Sequence, residues 1–226
     1  MDDLWLYADQ VLQGACITVQ LAVCSLALGM VLGLLLAAGS LSRQPLLRRA
    51  VMLWTAVLRG IPEFLIVLVC YFWLSNVINT QFGGSFDLSP FVAGVFALSI
   101  VFSAYAAEVF RGSFAAIPKG QIEAAQALGL RPAQTFFAVR LPQAWRVALP
   151  SLGNLWQSLL KDTSLVSVVG LEDLLKKANM AGQATHQPFV FLLAAAAVYF
   201  VFLQASQPVQ RWLEQRAGAG FGPRSA

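Results

Sequence analysis

The sequence predicts an all-α membrane protein with five transmembrane helices, and three observations predict it. First, 58% of its 226 residues are hydrophobic and only 12% are charged, against about 45–50% and about 25% in soluble domains. Second, apolar stretches near the ~20 residues that a spanning helix needs recur five times. Third, the basic residues gather in the connections of one side. This composition excludes disorder and argues against a water-soluble enzyme domain. The expected organisation is a single transmembrane domain over residues 1–226.

The first span is expected at about 12–40, within the charge-free run Gln10–Ser42. The opening MDDLWLYADQ has no basic segment and the run behind it is too long for a signal peptide, so it reads as an uncleaved first span. Gly29 and Gly33 form a GxxxG step suited to close helix contact. Cys16, Cys24 and Cys70 lie in apolar runs without CxxC spacing and read as small packing residues. The second span, about 50–79, is interrupted by Arg59-Gly60-Ile61-Pro62-Glu63. The third is about 88–112. The fourth, about 147–170, is interrupted by Lys161-Asp162, and the fifth is about 188–210.

Lys and Arg placement sets the expected orientation. Five spans leave the N-terminal tail and the 80–87 loop, both without Lys or Arg, on one side with the 171–187 loop. That last loop carries Lys176 and Lys177, offset by Glu172 and Asp173. Arg43, Arg48, Arg49, Arg111, Lys119, Arg131, Arg140, Arg146, Arg211, Arg216 and Arg224 fall on the other side. The N-terminus is therefore expected outside and the C-terminus in the cytoplasm.

The largest cytoplasmic feature is then the 113–146 loop. Pro118 can start one short helix over Gln121–Leu128, with Gly129 at its end. Pro132 can start a second, Ala133–Val139, that Leu141-Pro142 ends. Ile122, Ala125 and Leu128 would share a face, with Phe136, Phe137 and Val139 adding apolar area on the second helix. Such a pair is either a docking surface or an interfacial helix lying on lipid.

The text Ile117-Pro118-Lys119-Gly120-Gln121-Ile122-Glu123-Ala124-Ala125-Gln126-Ala127-Leu128-Gly129, followed by Leu141-Pro142, resembles the EAA loop of bacterial ABC-importer membrane subunits. With Arg59-Gly60-Ile61-Pro62 and Lys161-Asp162-Thr163-Ser164-Leu165, it resembles their polar amino acid uptake branch over nearly the whole chain. The resemblance implies that the loop inserts into a cleft on a cytoplasmic ATPase subunit through Glu123, Ala124, Ala125 and Gly129. It also implies an ATPase subunit pair, a second permease subunit (identical or homologous), a periplasmic substrate-binding protein, and residence in the bacterial inner membrane. The two small alanines allow close approach, Gly129 permits the turn, and Glu123 can accept hydrogen bonds or serve the helix dipole of its own first turn.

No enzyme motif accompanies these features. There is no Gly-Lys pair and so no Walker A loop, no HExxH or GxSxG, and His186 is the only histidine. His186 reads as a solvated or capping residue of an external loop. No cofactor is expected in this chain, ATP and Mg being left to the partner ATPase, and the modest charge on so apolar a chain argues against nucleic acid.

Carboxylates in or near spans are expensive and nominate functional sites. Glu63 follows Pro62, where a restarted helix would stabilise its charge and build a discontinuous-helix site. The alternative is an i,i+4 pair with Arg59. In the resembled family a carboxylate here looks like the histidine/lysine/arginine/ornithine permeases and their opine-transporting relatives, whereas neutral amino acid permeases tend to be apolar there. Glu108 can pair with Arg111 or, if its helix continues to Ala116, sit deeper and bind an α-ammonium group. Asp162, with Thr163 and Ser164, is expected on the pathway wall, and Ser103 and Tyr105 are further candidates. The expected substrate is a basic amino acid or a related opine. Neutral or acidic polar amino acids are the alternative, with a secondary transporter, channel or membrane scaffold behind them.

Overall fold

The computed structural model describes residues 5–82 and 88–218, and within them all regular secondary structure is helical. Helix α1 runs Ala8–Ser40, α2 Pro45–Gly60, α3 Glu63–Phe82 and α4 Pro90–Ala115. Two short helices follow, α5 Lys119–Ala127 and α6 Pro132–Thr135. A π-helical turn, Phe136–Arg140, leads into α7 Leu141–Asp162, and a 3-10 turn continues from Thr163 to Val169. Helices α8, Leu174–Ala184, and α9, Pro188–Gly218, complete the described chain.

Four of these helices are long and apolar enough to cross a membrane: α1, α3, α4 and α9. The expected second span is two helices. Ile61 is extended (φ −100°, ψ 136°), because a residue before proline is pushed out of the helical region, and α3 restarts at Glu63. The expected fourth span is also two pieces, α7 and the 3-10 turn, and its polar residues keep it out of that set.

Helix α4 is the centre of the fold. Its small residues let α1 lie close against it, the usual device where no hydrophobic drive operates between helices. A methyl group at Gly33 would come within 2.8 Å of Ala106 Cβ, and one at Gly29 within 2.8 Å of Phe102. One at Gly94 would meet Leu21 and Val166. Gly29 and Gly33 thus make the close contact that their spacing foretells. The partners ascend together, so α1 and α4 run parallel, and α2 with α3 must return the chain between them. Helix α7 runs the other way. Trp145 stacks on Phe110 at 6.4 Å, and Leu159 lies beside Leu98 and Phe102. The main core forms along these three helices, with Leu21, Leu98, Phe102, Phe110, Leu152 and Val166 buried.

The outer face of the bundle is apolar. Leu12, Leu35, Val69, Phe72, Trp73, Leu193 and Phe200 are all exposed, as expected where lipid is the solvent. Cys16 and Cys24 are exposed on this face and Cys70 is half-buried.

Candidate functional site

Helix α3 begins at Glu63, so this carboxylate sits in a first turn, where the free N–H groups favour negative charge. Tyr105, on α4, donates its hydroxyl to Glu63 Oε1 at 2.9 Å. Asp162 approaches from the C-terminal end of α7. The three line one cavity of about 200 Å³, with Leu98, Val101, Phe102, Leu155, Ser158 and Leu159 as further walls. Among the described residues neither Glu63 nor Asp162 is ion-paired, although Lys161 adjoins Asp162 in the chain. The volume lies below the ~300–1,000 Å³ of drug-sized ligand sites, which suits a small solute. A larger groove, about 770 Å³ between α1 and α9, is lined almost entirely by apolar residues and holds no charged group.

Glu108 lies one turn further along α4 and outside this cavity. Its Oε2 accepts from Arg111 Nη2 at 2.6 Å and Nε at 3.1 Å. Its Oε1 faces Arg59 Nη2 at 3.9 Å. The Arg59–Glu63 pair is not made. An i,i+4 pair needs a continuous helix, and the break at Ile61-Pro62 turns Arg59 towards α4 instead. Thr163 is fully buried, and its hydroxyl donates to Leu160 O at 2.8 Å rather than lining the cavity. Ser164 likewise donates to Lys161 O, and Ser103 to Ile100 O. Tyr105, only a further candidate from sequence, turns out to be the hydrogen-bond partner of Glu63. The available signal was its position three residues before Glu108, on the same helix face.

The connection between α4 and α7 carries the second group of candidate residues. Helix α5 ends in a Schellman motif: Leu130 N–H donates to Ala125 O at 3.1 Å and Gly129 N–H to Gln126 O at 2.9 Å. Gly129 takes φ +80°, a conformation that suits glycine, so the turn expected at this residue is present. Glu123 and Ala124 are exposed, while Ala125 is buried. Glu123 lies in the second turn of α5, too far from the N-terminus to serve a first-turn dipole role. Leu141-Pro142 does not end the second short helix. The π turn absorbs the proline, Leu141 N–H reaching back to Phe136 O, and the helix continues as α7. Phe114 at the end of α4 holds this segment, stacking on Phe136 at 5.8 Å with the Arg140 guanidinium 5.7 Å from its ring. Leu128 and Phe137, 82% and 66% exposed, give the helix pair an apolar outer face.

A lone exposed helix pair is ambiguous. Residues 29–218, however, match the family described as the inner membrane component of binding-protein-dependent transport systems. The chain belongs to that family. It is 39% identical over 221 residues to the histidine/lysine/arginine/ornithine transport system permease protein HisQ of Escherichia coli (strain K12), covering 96% of this chain and 97% of that one. It is 40% identical over 225 residues to the nopaline transport system permease protein NocQ of Agrobacterium fabrum (strain C58 / ATCC 33970), covering 97% and 94%. A solved amino acid ABC transporter with histidines superimposes with a TM-score of 0.84 at 32% identity, covering 94% of this chain and 96% of that one. The chain is therefore a multi-pass membrane permease component, a kind of subunit that is not itself an enzyme. The family works with a substrate-binding protein and an ATPase.

Outside the apolar helices, one carboxyl is unusual. Asp173 caps α8, its Oδ1 accepting from Lys176 N–H at 2.9 Å, yet it is fully buried beside Gly14 and Thr18 of α1. Thr18 Oγ1 supports the same helix end by accepting from Leu174 N–H at 3.1 Å. Burial pushes the Asp173 carboxyl up to about 6 despite the opposing hydrogen bonds from Lys176 and its neighbours. Glu172 beside it is exposed, and its hydrogen bond from Lys177 holds it below the usual carboxylate range. His186, exposed at the corner between α8 and α9, takes φ +56°.

Proposed function

We propose that this chain is the permease subunit of an ATP-driven importer for basic amino acids (arginine, ornithine, lysine or histidine) or related opines. The observation that carries this reading is the cavity where Glu63 and Asp162 converge with Tyr105, with no Lys or Arg among its lining residues. Two carboxylates at membrane depth are costly unless something compensates them. A guanidinium or ammonium group entering between them offsets their repulsion and donates a charge-assisted hydrogen bond to each side. The names of HisQ and NocQ, with cationic amino acids and an opine, support the same substrate class.

The rest of the mechanism follows from the arrangement. Helix α7 and its 3-10 turn run the length of α4 and act as a further crossing, giving five. The N-terminus lies outside, because that orientation keeps eleven of the fifteen basic residues cytoplasmic. Two permease subunits, identical or homologous, form the pathway. A periplasmic binding protein delivers the solute. An ATPase pair, which binds ATP and Mg, takes the α5–α6 segment through Glu123, Ala124, Ala125 and the turn at Gly129. Thr163 supports the wall from behind, by fixing the join between α7 and the 3-10 turn.

The test is uptake by the reconstituted complex, with its ATPase and binding protein, over a panel of amino acids. Glu63→Gln is expected to weaken arginine or histidine uptake more than glutamine uptake. Equal losses for all three would defeat the cationic assignment. Wild-type preference for a neutral amino acid would move the reading to the neutral branch.

A further inference from the structure

Glu108 holds its two arginines unequally. Arg111 takes Oε2 with two hydrogen bonds, at 2.6 and 3.1 Å, on the same helix. Arg59 stands off Oε1 at 3.9 Å, beyond hydrogen-bond reach, from a different helix. Arg59 is also tied only lightly elsewhere, its Nε donating to Thr55 O at 3.3 Å. Its side chain is 36% exposed and that of Glu108 20% exposed, so both are accessible. Oε1 is thus a carboxylate oxygen that keeps a cation near without bonding it.

Its position gives that oxygen a use. Tyr105 and Glu108 lie on one face of α4, separated by about one turn. Tyr105 marks the cavity through its bond to Glu63, and Glu108 is the next carboxylate towards Arg111 and the exposed helix pair. Arg59 itself lies in the last turn of α2, four residues before Glu63 opens a new helix across the Gly60–Pro62 break. A cation that moves from the cavity along α4 therefore meets Glu108, with a guanidinium already beside it.

We propose that Arg59 is a tethered counter-cation that screens Glu108 Oε1 when the pathway is empty, and that a substrate guanidinium or ammonium competes with it for this second station. Competition keeps the second station weak, so the solute leaves it readily instead of lodging between two carboxylates. Arg111 is not displaced, because two hydrogen bonds from it hold Oε2 on one helix. This inference rests on the cationic-substrate reading above.

The test is equilibrium binding of radiolabelled arginine to the purified permease–ATPase complex without the binding protein. Arg59→Gln removes the charge but keeps an N–H where Arg59 Nε donates to Thr55 O. Arg59→Lys keeps the charge and alters that N–H. Arg59→Gln is expected to tighten arginine binding about fivefold, the lower range of ordinary coupling between sites, with Arg59→Lys near wild type. Adding Glu108→Gln to Arg59→Gln should abolish the gain. If Arg59 only caps α2, the pattern reverses: Arg59→Gln matches wild type and Arg59→Lys changes. That result overturns the proposal, as does a gain that survives Glu108→Gln. If Arg59→Gln fails to assemble, Glu108→Gln alone decides: binding loosened severalfold supports the second station, and binding unchanged overturns it. Glu63→Gln separates the two levels. Arginine binding that Glu63→Gln leaves intact sinks the substrate reading itself, whereas binding that it abolishes leaves only the role of Arg59 at issue.

Discussion

Helix α4 faces two acidic settings one turn apart. At Tyr105, the carboxylates of Glu63 and Asp162 converge on a cavity with a hydroxyl and no Lys or Arg among its lining residues. At Glu108, a single carboxylate is bound by Arg111 and overlooked by Arg59. The residue types are the same and the lipid cost of a charge is similar. What differs is the backbone that delivers each group. Glu63 and Asp162 come from the start of one helix and the end of another; Lys161 adjoins Asp162 in the chain, but neither carboxylate makes an ion pair among the described residues. Glu108 sits within a continuous helix and finds Arg111 at i+3. Broken helices leave charges available to a ligand, and continuous ones tend to satisfy them internally. That is why a discontinuous helix is a good place to build a transport site.

The comparison breaks first on double substitution. Glu63→Gln and Asp162→Asn are each expected to lower arginine uptake roughly tenfold or more, about 1.4 kcal/mol of lost discrimination. Together they should lose less than the product, because both act on one bound cation. Glu108→Gln should cost no more than about threefold in uptake on the scale of a partly exposed ion pair. If Glu108→Gln proves as damaging as Glu63→Gln, the two settings are one site and the distinction fails. Tyr105→Phe sharpens it next. Losing the hydroxyl that holds Glu63 is expected to reduce arginine uptake about fivefold, near the net worth of one hydrogen bond. Assembly with the ATPase should be unchanged, as read by co-purification.

A third carboxyl supplies the smallest effect and a control. Asp173 is buried like a site residue but serves as a helix cap. Its folded-state carboxyl titrates at about 6, raised from 3.8. Between those values the folded chain holds a proton that the unfolded chain has released, so stability falls as pH rises through the window and is flat above it. Asn caps a helix about as well as Asp. Asp173→Asn should therefore raise the Tm of the detergent-solubilised complex by roughly 2–4 °C at pH 7 and lose the advantage near pH 4. Arginine uptake should be unaffected. Parallel pH profiles for the two proteins would show that burial does not hold this carboxyl up.

Much of this was legible in the residues. Pro62 announced the break before Glu63, because proline excludes the preceding residue from a helix. Gly129 announced a turn needing positive φ. Gly29 and Gly33 announced a close helix contact. The errors have one source. Arg59 was considered as a partner for Glu63 on the strength of i,i+4 spacing, yet that spacing has meaning only inside one helix. Thr163 was placed on the pathway because it follows Asp162, whereas the 3-10 turn rotates its hydroxyl back to Leu160. Leu141-Pro142 read as a helix end, but a π turn can absorb a proline that an α-helix cannot.

The sequence by itself determined the solvent of the chain, the existence of its long apolar helices, the glycine turn between the short helices and the carboxylates worth asking about. Those properties depend on composition and on neighbours within a turn or two. The tertiary structure alone decided which carboxylates meet. Glu63, Tyr105 and Asp162 come from three helices, and only the packing of α3, α4 and α7 brings them to one cavity. Whether a buried charge is spent on an arginine or left open for a ligand depends on distances between helices, which local pattern does not encode.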